Sequence, residues 1–126
     1  MKQMLSMSKN IKYLEQKCYN EFDKLHIHEQ YCWGCGKLKP LSRAHIIRRS
    51  ERSDLRFDVN NLAYLCFGSS DSCHDIWDNY SWHELDPLLE ICRLKCFYKF
   101  VDYIRKVDKE KYKRLISYMK ETLNKY

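Results

Sequence analysis

The sequence predicts an α+β fold that is mostly helical, in which a short-stranded, metal-stapled module lies between two helical regions. Two observations support this expectation. All three glycines and four of the seven cysteines fall between residues 31 and 82, where turn residues also concentrate. Both flanking regions instead carry apolar residues at spacings of three and four, which is the period of an amphipathic α-helix. The 126 residues are enough for one domain, and we expect the whole chain to form it.

The first element is a helix over residues 8–30. This stretch contains neither glycine nor proline, so nothing in it interrupts a helical backbone. Its apolar stripe, which we expect to pack on the rest of the molecule, consists of Ile11, Leu14, Cys18, Phe22 and Leu25.

The middle module spans residues 31–82, and a basic helical region spans residues 86–126. Asp86 and Pro87 have the residue types of a helix N-cap and first helical position. Asp108 is expected to cap a last helix that carries Leu115, Ile116 and Met119. The apolar stripe between these two caps continues through Leu88, Ile91, Cys92, Leu94 or Lys95, Phe97 or Tyr98, and Val101.

The cysteine pattern predicts a structural zinc site. Cys32 and Cys35 form a Cys-x2-Cys knuckle, and Gly34 and Gly36 permit the tight backbone that such a knuckle needs. Cys66 and Cys73 supply the second pair, because the intervening "FGSSDS" is small and polar enough to loop out. An odd number of cysteines disfavours a disulfide framework. The other cysteines lie on helical stripes and are expected to pack as small apolar residues: Cys18, Cys92 and Cys96.

The charge distribution points to a polyanionic partner. The formal net charge is +6, and residues 87–126 hold 11 basic against 5 acidic residues. A second basic concentration lies at residues 37–56, with seven basic and two acidic residues. Such patches suit DNA, although a solvated helix face would also explain them. No stretch has the length of a membrane helix or the pattern of a secretory signal, so we expect a cytoplasmic protein without membrane contact.

Four motifs occur in a fixed order: the Cys32–Cys35 knuckle, "RAHII" around His45, "NNLAYLC" ending at Cys66, and "CHDIWDN" from Cys73. This order resembles the zinc-stapled form of the HNH, or ββα-metal, nuclease superfamily over residues 32–82. The run "AHIIRRSERSDLRFDVNN" is also similar to phage recombination endonucleases of the NinG type. The resemblance implies a phage-encoded DNA endonuclease in a bacterial host cell, with branched or recombining DNA as a candidate substrate.

The resemblance also implies a role for each residue of the motifs. His45 would be the general base, because neutral imidazole can take a proton from water near pH 7. Asn61 would hold that imidazole or its loop, and Asn60 fits less well because Leu62 follows Asn61. His74 and Asp78, one helical turn apart, would hold a catalytic Mg²⁺ or Mn²⁺. Taken alone, a Cys-His pair would more often place His74 among the zinc ligands.

Ala44 departs from the superfamily pattern. Most HNH nucleases have an aspartate or histidine metal ligand directly before the general base, where this chain has alanine. The NinG-type relatives have glycine there and an acidic residue two positions earlier, which corresponds to Ser42. A catalytically inactive, zinc-containing nucleic-acid-binding module is therefore the alternative.

The expected DNA contacts are basic and aromatic side chains. Arginine suits phosphate, and Arg43, Arg48, Arg49 and Arg52 surround His45 in sequence. We expect Arg56 to pair with Asp54 or Asp58 instead. Trp82 could stack on bases, whereas Trp77 is expected in the core. The basic tail would extend the contact, through Lys109, Lys111, Lys113 and Arg114. A homodimer joined by the terminal helices would suit cutting of both strands.

Overall fold

The computed structural model describes residues 2–69, 71–79 and 84–125 of the chain. It contains five α-helices and a two-stranded sheet in this part, which confirms a mixed α/β fold that is mostly helical. Assignment to a ββα-metal core stays a prediction, and Trp82 and the end of the 31–82 module lie outside the described residues. In chain order the elements are α1 (Lys2–Leu25), β1 (Leu41–His45), β2 (Leu62–Cys66), α2 (Cys73–Asp78), α3 (Leu85–Cys92), α4 (Phe97–Val107) and α5 (Lys109–Asn124).

The sheet is an antiparallel pair whose register runs from Leu41 opposite Cys66 to His45 opposite Leu62. Every residue of β2 is buried, whereas β1 is only partly covered. The two strands are joined by residues 46–61, which contain two short 3-10 turns, Ser53–Leu55 and Val59–Asn61. This register leaves His45 at the last position of β1, at the mouth of the connecting loop.

The face of α1 that packs on the sheet differs from the predicted stripe. Cys18 and Phe22 are buried as expected, but Leu14 is 42% exposed and Leu25 is 64% exposed. The helix also occupies Lys2–Leu25 rather than residues 8–30. Polar residues on the packed side form ion pairs with arginines of the module, and these contacts determine which way the helix faces. They are Glu15, with Arg49 and Arg56, and Asp23, with Arg43.

The region after residue 84 is broken where a continuous stripe was predicted. The helix α3 ends at Cys92 and α4 begins at Phe97. Between these two helices the Lys95 N–H donates a hydrogen bond to the Gly34 carbonyl oxygen of the cysteine knuckle at 2.9 Å. In a continuous helix the same N–H would donate to a carbonyl of the helix itself.

Two predictions about the helical caps and one about a cysteine have different outcomes. Asp108 accepts a hydrogen bond from the Lys111 N–H at 3.0 Å, as predicted for an N-cap. The helix α3 begins at Leu85, so Asp86 and Pro87 lie inside its first turn instead of at the predicted cap. Cys92 is exposed and does not pack in the core, because α3 turns it outward, whereas Cys18 and Cys96 are buried as predicted.

Trp77 connects the module to the C-terminal helices. It is 1% exposed, which confirms its predicted place in the core. Its indole N–H donates to the Ile46 carbonyl at 3.1 Å, and its ring meets Phe100 edge-on with centroids 4.8 Å apart. The α2 helix is thereby held against both the loop after β1 and α4. No helix in the described ranges is long and apolar enough to cross a membrane.

Candidate functional site: a cysteine cluster and a histidine cleft

Four cysteines converge at one end of the sheet. Cys32 and Cys35 come from the knuckle, Cys66 ends β2, and Cys73 begins α2. Their sulfur atoms all lie within 4.8 Å of one another. Four thiolates in one place suit tetrahedral Zn²⁺. The prediction that these four cysteines meet is confirmed, and the cluster can hold a metal such as zinc.

The backbone around Cys32 favours the thiolate form that binds metal, whereas burial raises the pKa of the Cys66 and Cys73 thiols. The amide N–H groups of Cys35 and Cys66 point at the Cys32 sulfur, with N···Sγ distances of 3.5 and 3.3 Å. Burial raises the pKa of the Cys32 thiol, but these amide donors outweigh it and lower the pKa to about 7. The Cys73 amide donates in the same way to the Cys66 sulfur at 3.3 Å. The chemistry of this donor set therefore fits a zinc ion.

Gly34 is required by close packing inside the knuckle. A Cβ atom at this position would lie 2.8 Å from the Cys73 sulfur and 2.9 Å from the Cys73 Cβ. Both distances are too short for any side chain to be accepted without moving α2. The knuckle and the start of α2 thus approach each other as closely as the backbone permits.

A separate open cleft of about 770 Å³ joins side chains from four parts of the fold. They come from α1, β1, the loop after β1, and α2 with the residue that follows it. The lining consists of Glu15, Tyr19, Arg43, Ala44, His45, Arg48, Arg49, Ser50, His74, Asp78 and Asn79. The cleft therefore contains most of the predicted catalytic and DNA-binding residues, including His45, His74 and Asp78.

The orientation of His45 follows from one hydrogen bond. Its Nε2 lies 3.3 Å from the Arg56 carbonyl oxygen. A carbonyl can only accept, so the neutral ring carries its proton on Nε2, and Nδ1 keeps a lone pair. Burial is the main reason that the pKa of His45 lies below its ordinary value. The imidazole is therefore neutral near pH 7 and offers Nδ1 as a proton acceptor.

Asn61 holds the loop that carries the Arg56 carbonyl. The side chain is fully buried, and its amide oxygen accepts from the Ile47 N–H at 2.8 Å. Its amide nitrogen donates to the carbonyls of Ile47 and Leu55 at 3.0 and 3.2 Å. These contacts favour the view that Asn61 holds the loop rather than the imidazole. They reach His45 indirectly, through the backbone next to Arg56. Asn60 is exposed and makes no comparable side-chain contact among the described residues.

His74 and Asp78 lie one turn apart on α2, as predicted from their spacing. The His74 Nε2 and the Asp78 Oδ2 are 2.9 Å apart. Two ligands in adjacent positions of an octahedral ion, each about 2.1 Å away, would be separated by about 3 Å. The Asp78 carboxylate raises the pKa of His74. His74 is not part of the sulfur cluster, so the pair is a separate nitrogen–oxygen donor set that fits a divalent cation.

Ala44 lies in the cleft wall and is 2% exposed. It pairs with Ala63 in the sheet and has no atom that could coordinate a metal. Of the residues that line this cleft, His74 and Asp78 are the pair whose ligand atoms lie close enough to share a cation.

The predicted DNA-binding arginines divide into two groups. Arg43, Arg48 and Arg49 line the cleft beside His45. Arg52 instead pairs with Asp54 at 2.6 Å and with Asp108 at 3.1 Å, and so ties the loop to the start of α5. The expected partner of Arg56 was also wrong, since its Nε donates to Glu15 at 2.6 Å.

The sequence reasoning missed the acidic side of the cleft. Glu15 and Tyr19 of α1 line it, and Glu15 accepts from both Arg49 and Arg56. Asp23, one turn further along, accepts from both Arg43 and the Tyr64 hydroxyl. The available signal was the spacing of four between these three residues, which places them on one helix face. Nothing in the sequence says that this face meets the arginines.

A comparison with known protein families, with curated proteins and with solved structures finds no match. The chemistry of the two clusters must therefore be judged from their own geometry.

Proposed function

We propose that this chain is a metal-dependent DNA endonuclease that hydrolyses phosphodiester bonds in the cleft around His45. The single observation that supports the proposal most is the convergence of three kinds of group in one cleft. These are a neutral histidine with a free lone pair, the His74–Asp78 donor pair, and arginines that suit phosphate. Metal-dependent phosphodiester hydrolysis uses a base, a divalent cation and positive charge near the phosphate.

His45 would act as the general base through Nδ1. Its Nε2–H is engaged by the Arg56 carbonyl, which fixes the ring and leaves Nδ1 to take a proton from the attacking water. The positive charge that forms on the ring would be balanced by Glu15, whose carboxylate favours the charged form of His45. Asn61 would act as a positioning residue, because it holds the loop that provides the Arg56 carbonyl.

His74 Nε2 and Asp78 Oδ2 would hold Mg²⁺ or Mn²⁺. Such a cation, when bound, would neutralise charge on the phosphate and stabilise the leaving oxygen. A carboxylate paired with an imidazole suits these ions, and the substrate phosphate and water would complete the coordination.

Arg48 and Arg49, with Arg43, would bind the sugar-phosphate backbone next to His45. Contacts of this kind produce binding that falls steeply with salt and depends weakly on sequence. Branched or recombining DNA in the cytoplasm of a phage-infected host is the candidate substrate, and a homodimer would allow both strands to be cut. The lysines of α5 would widen the contact.

We assign Zn²⁺ to the four-cysteine cluster as a structural ion. It would cross-link the knuckle, β2 and α2, because a two-stranded sheet alone is only marginally stable, and so fix His74 relative to His45. Metal analysis of the purified protein is expected to find one zinc per chain. Gly34→Ala is expected to lower that content, because its Cβ would displace the Cys73 sulfur.

The test of the nuclease is a cleavage assay with supercoiled, linear and four-way-junction DNA across a panel of divalent ions. Cleavage is expected with Mg²⁺ or Mn²⁺ and is expected to fall by at least about 100-fold in His45→Ala, the lower range for loss of a general base. His28→Ala is the matched control, because His28 is exposed and outside the cleft. Cleavage that persists in a folded, zinc-loaded His45→Ala protein would contradict the role of His45.

A non-catalytic nucleic-acid-binding module is the second candidate, and Ala44 is the observation that favours it. A cleft with only His74 and Asp78 as cation ligands would hold a divalent ion weakly. This candidate predicts salt-sensitive DNA binding with no cleavage under any ion in the same assay.

A further inference from the structure

Ser42 connects the sheet to the proposed cation site. Its Oγ lies 2.9 Å from the Leu65 carbonyl oxygen and 2.7 Å from the Nδ1 of His74. Ser42 and Leu65 are direct partners in the β1–β2 register, so the hydroxyl is held against the paired strands. Both contacts are within hydrogen-bond distance.

The two contacts of Ser42 constrain each other. A serine hydroxyl has one hydrogen, and a carbonyl oxygen can only accept. The hydrogen is therefore used toward Leu65, and toward His74 the Ser42 oxygen must accept. It follows that His74 carries a proton on Nδ1.

The position of this proton decides what the other ring nitrogen can do. A neutral imidazole with its proton on Nδ1 has a lone pair on Nε2. That nitrogen faces the Asp78 carboxylate oxygen at 2.9 Å, and two lone-pair donors at this distance repel unless a positive species lies between them. Without Ser42, the proton could move to Nε2 and bond to Asp78, which would remove the nitrogen from coordination.

We propose that Ser42 is a positioning residue that fixes the tautomer of His74, so that Nε2 presents its lone pair to a divalent cation shared with Asp78. This inference rests on the proposed function for the identity of the cation, but not for the tautomer. Ser42 acts indirectly on the cation, because the Ser42 oxygen already contacts His74 Nδ1 and the Ser42 hydroxyl hydrogen is donated to the Leu65 carbonyl. Ser42 thus holds the Nδ1 side of the His74 ring, while Nε2 on the opposite side faces the cleft.

The test compares Ser42→Ala, which removes the hydroxyl, with Ser42→Thr, which keeps one. Ser53→Ala is the matched control, because Ser53 is an exposed serine of the loop between the strands. Zinc content and circular dichroism are measured first to show that each protein is folded. The affinity for Mn²⁺ is then measured, and ¹⁵N–¹H spectra of the imidazoles are recorded at saturating Mg²⁺.

The wild-type protein is expected to show His74 with its proton on Nδ1. Ser42→Ala is expected to weaken Mn²⁺ binding by about 10-fold or more, which is the usual effect of losing the partner of a ligating histidine. Ser42→Thr and Ser53→Ala are expected to stay within about 3-fold of the wild type.

A wild-type His74 protonated on Nε2 would overturn the inference, as would a folded Ser42→Ala protein with unchanged Mn²⁺ affinity. Neither result would by itself contradict DNA cleavage. Conversely, a protein that shows the expected tautomer and Mn²⁺ affinities but cuts no DNA would refute the proposed function and leave the role of Ser42 standing.

Discussion

Replacing Asn61 by alanine should test how the loop beside His45 is held. The change removes an acceptor for the Ile47 N–H and donors for the carbonyls of Ile47 and Leu55. Ile47 is 1% exposed, so water cannot replace the two lost bonds there, whereas Leu55 is only partly buried. Each buried group left without a partner costs about 1–3 kcal/mol. We expect the free energy of unfolding to fall by about 3 kcal/mol.

Urea unfolding of the zinc-loaded protein, at a fixed zinc concentration, would measure this loss. With an m-value of about 2 kcal/mol/M, the midpoint should fall by about 1.5 M. Asn60→Ala is the matched control, because this neighbouring side chain is exposed, and its effect should stay within about 0.5 kcal/mol. Equal losses in the two variants, or a loss below about 1 kcal/mol for Asn61→Ala, would refute the assignment of these hydrogen bonds.

Two further predictions concern the cleft. At saturating Mn²⁺ the cleavage rate should rise with pH through a pKa below 6.5 and then level off. The reason is that burial lowers the pKa of His45 and only the neutral ring accepts a proton. A midpoint above 6.5 in the pH profile would point to another group. Glu15→Gln should tighten DNA binding and steepen its salt dependence by about one unit, because Arg49 and Arg56 lose their shared carboxylate. Glu21→Gln makes the same charge change at an exposed position of the same helix, and an equal effect there would contradict a specific role for Glu15.

Short-range patterns predicted several local features correctly. The Cys-x2-Cys knuckle, the convergence of the four cysteines and the Asp108 cap are all present. The knuckle and the cap each depend on interactions over a few residues, such as a capping bond. The spacing of His74 and Asp78 likewise fixed their shared helix face before any tertiary contact was known.

The errors arose where a distant partner decides the outcome. The apolar stripe of α1 suggested that Leu14 and Leu25 are buried, but Glu15 and Asp23 turn the helix toward arginines that lie 20 to 41 positions later in the chain. The break between α3 and α4 coincides with a hydrogen bond to Gly34, about 60 residues earlier, and Cys92 is exposed because of the way α3 faces.

The sequence by itself determined the residue types: four thiols for a metal, a histidine between the two cysteine pairs, and a histidine and a carboxylate four residues apart. Periodicity and ligand spacing act locally, so these features are visible without a fold. Only the tertiary structure decided how they face each other. It placed the Nε2 of His45 on the Arg56 carbonyl, the hydroxyl of Ser42 behind His74, and the carboxylate of Glu15 among the arginines. Those relations join segments far apart in the chain, and the geometry of a hydrogen bond exists only once the segments have met.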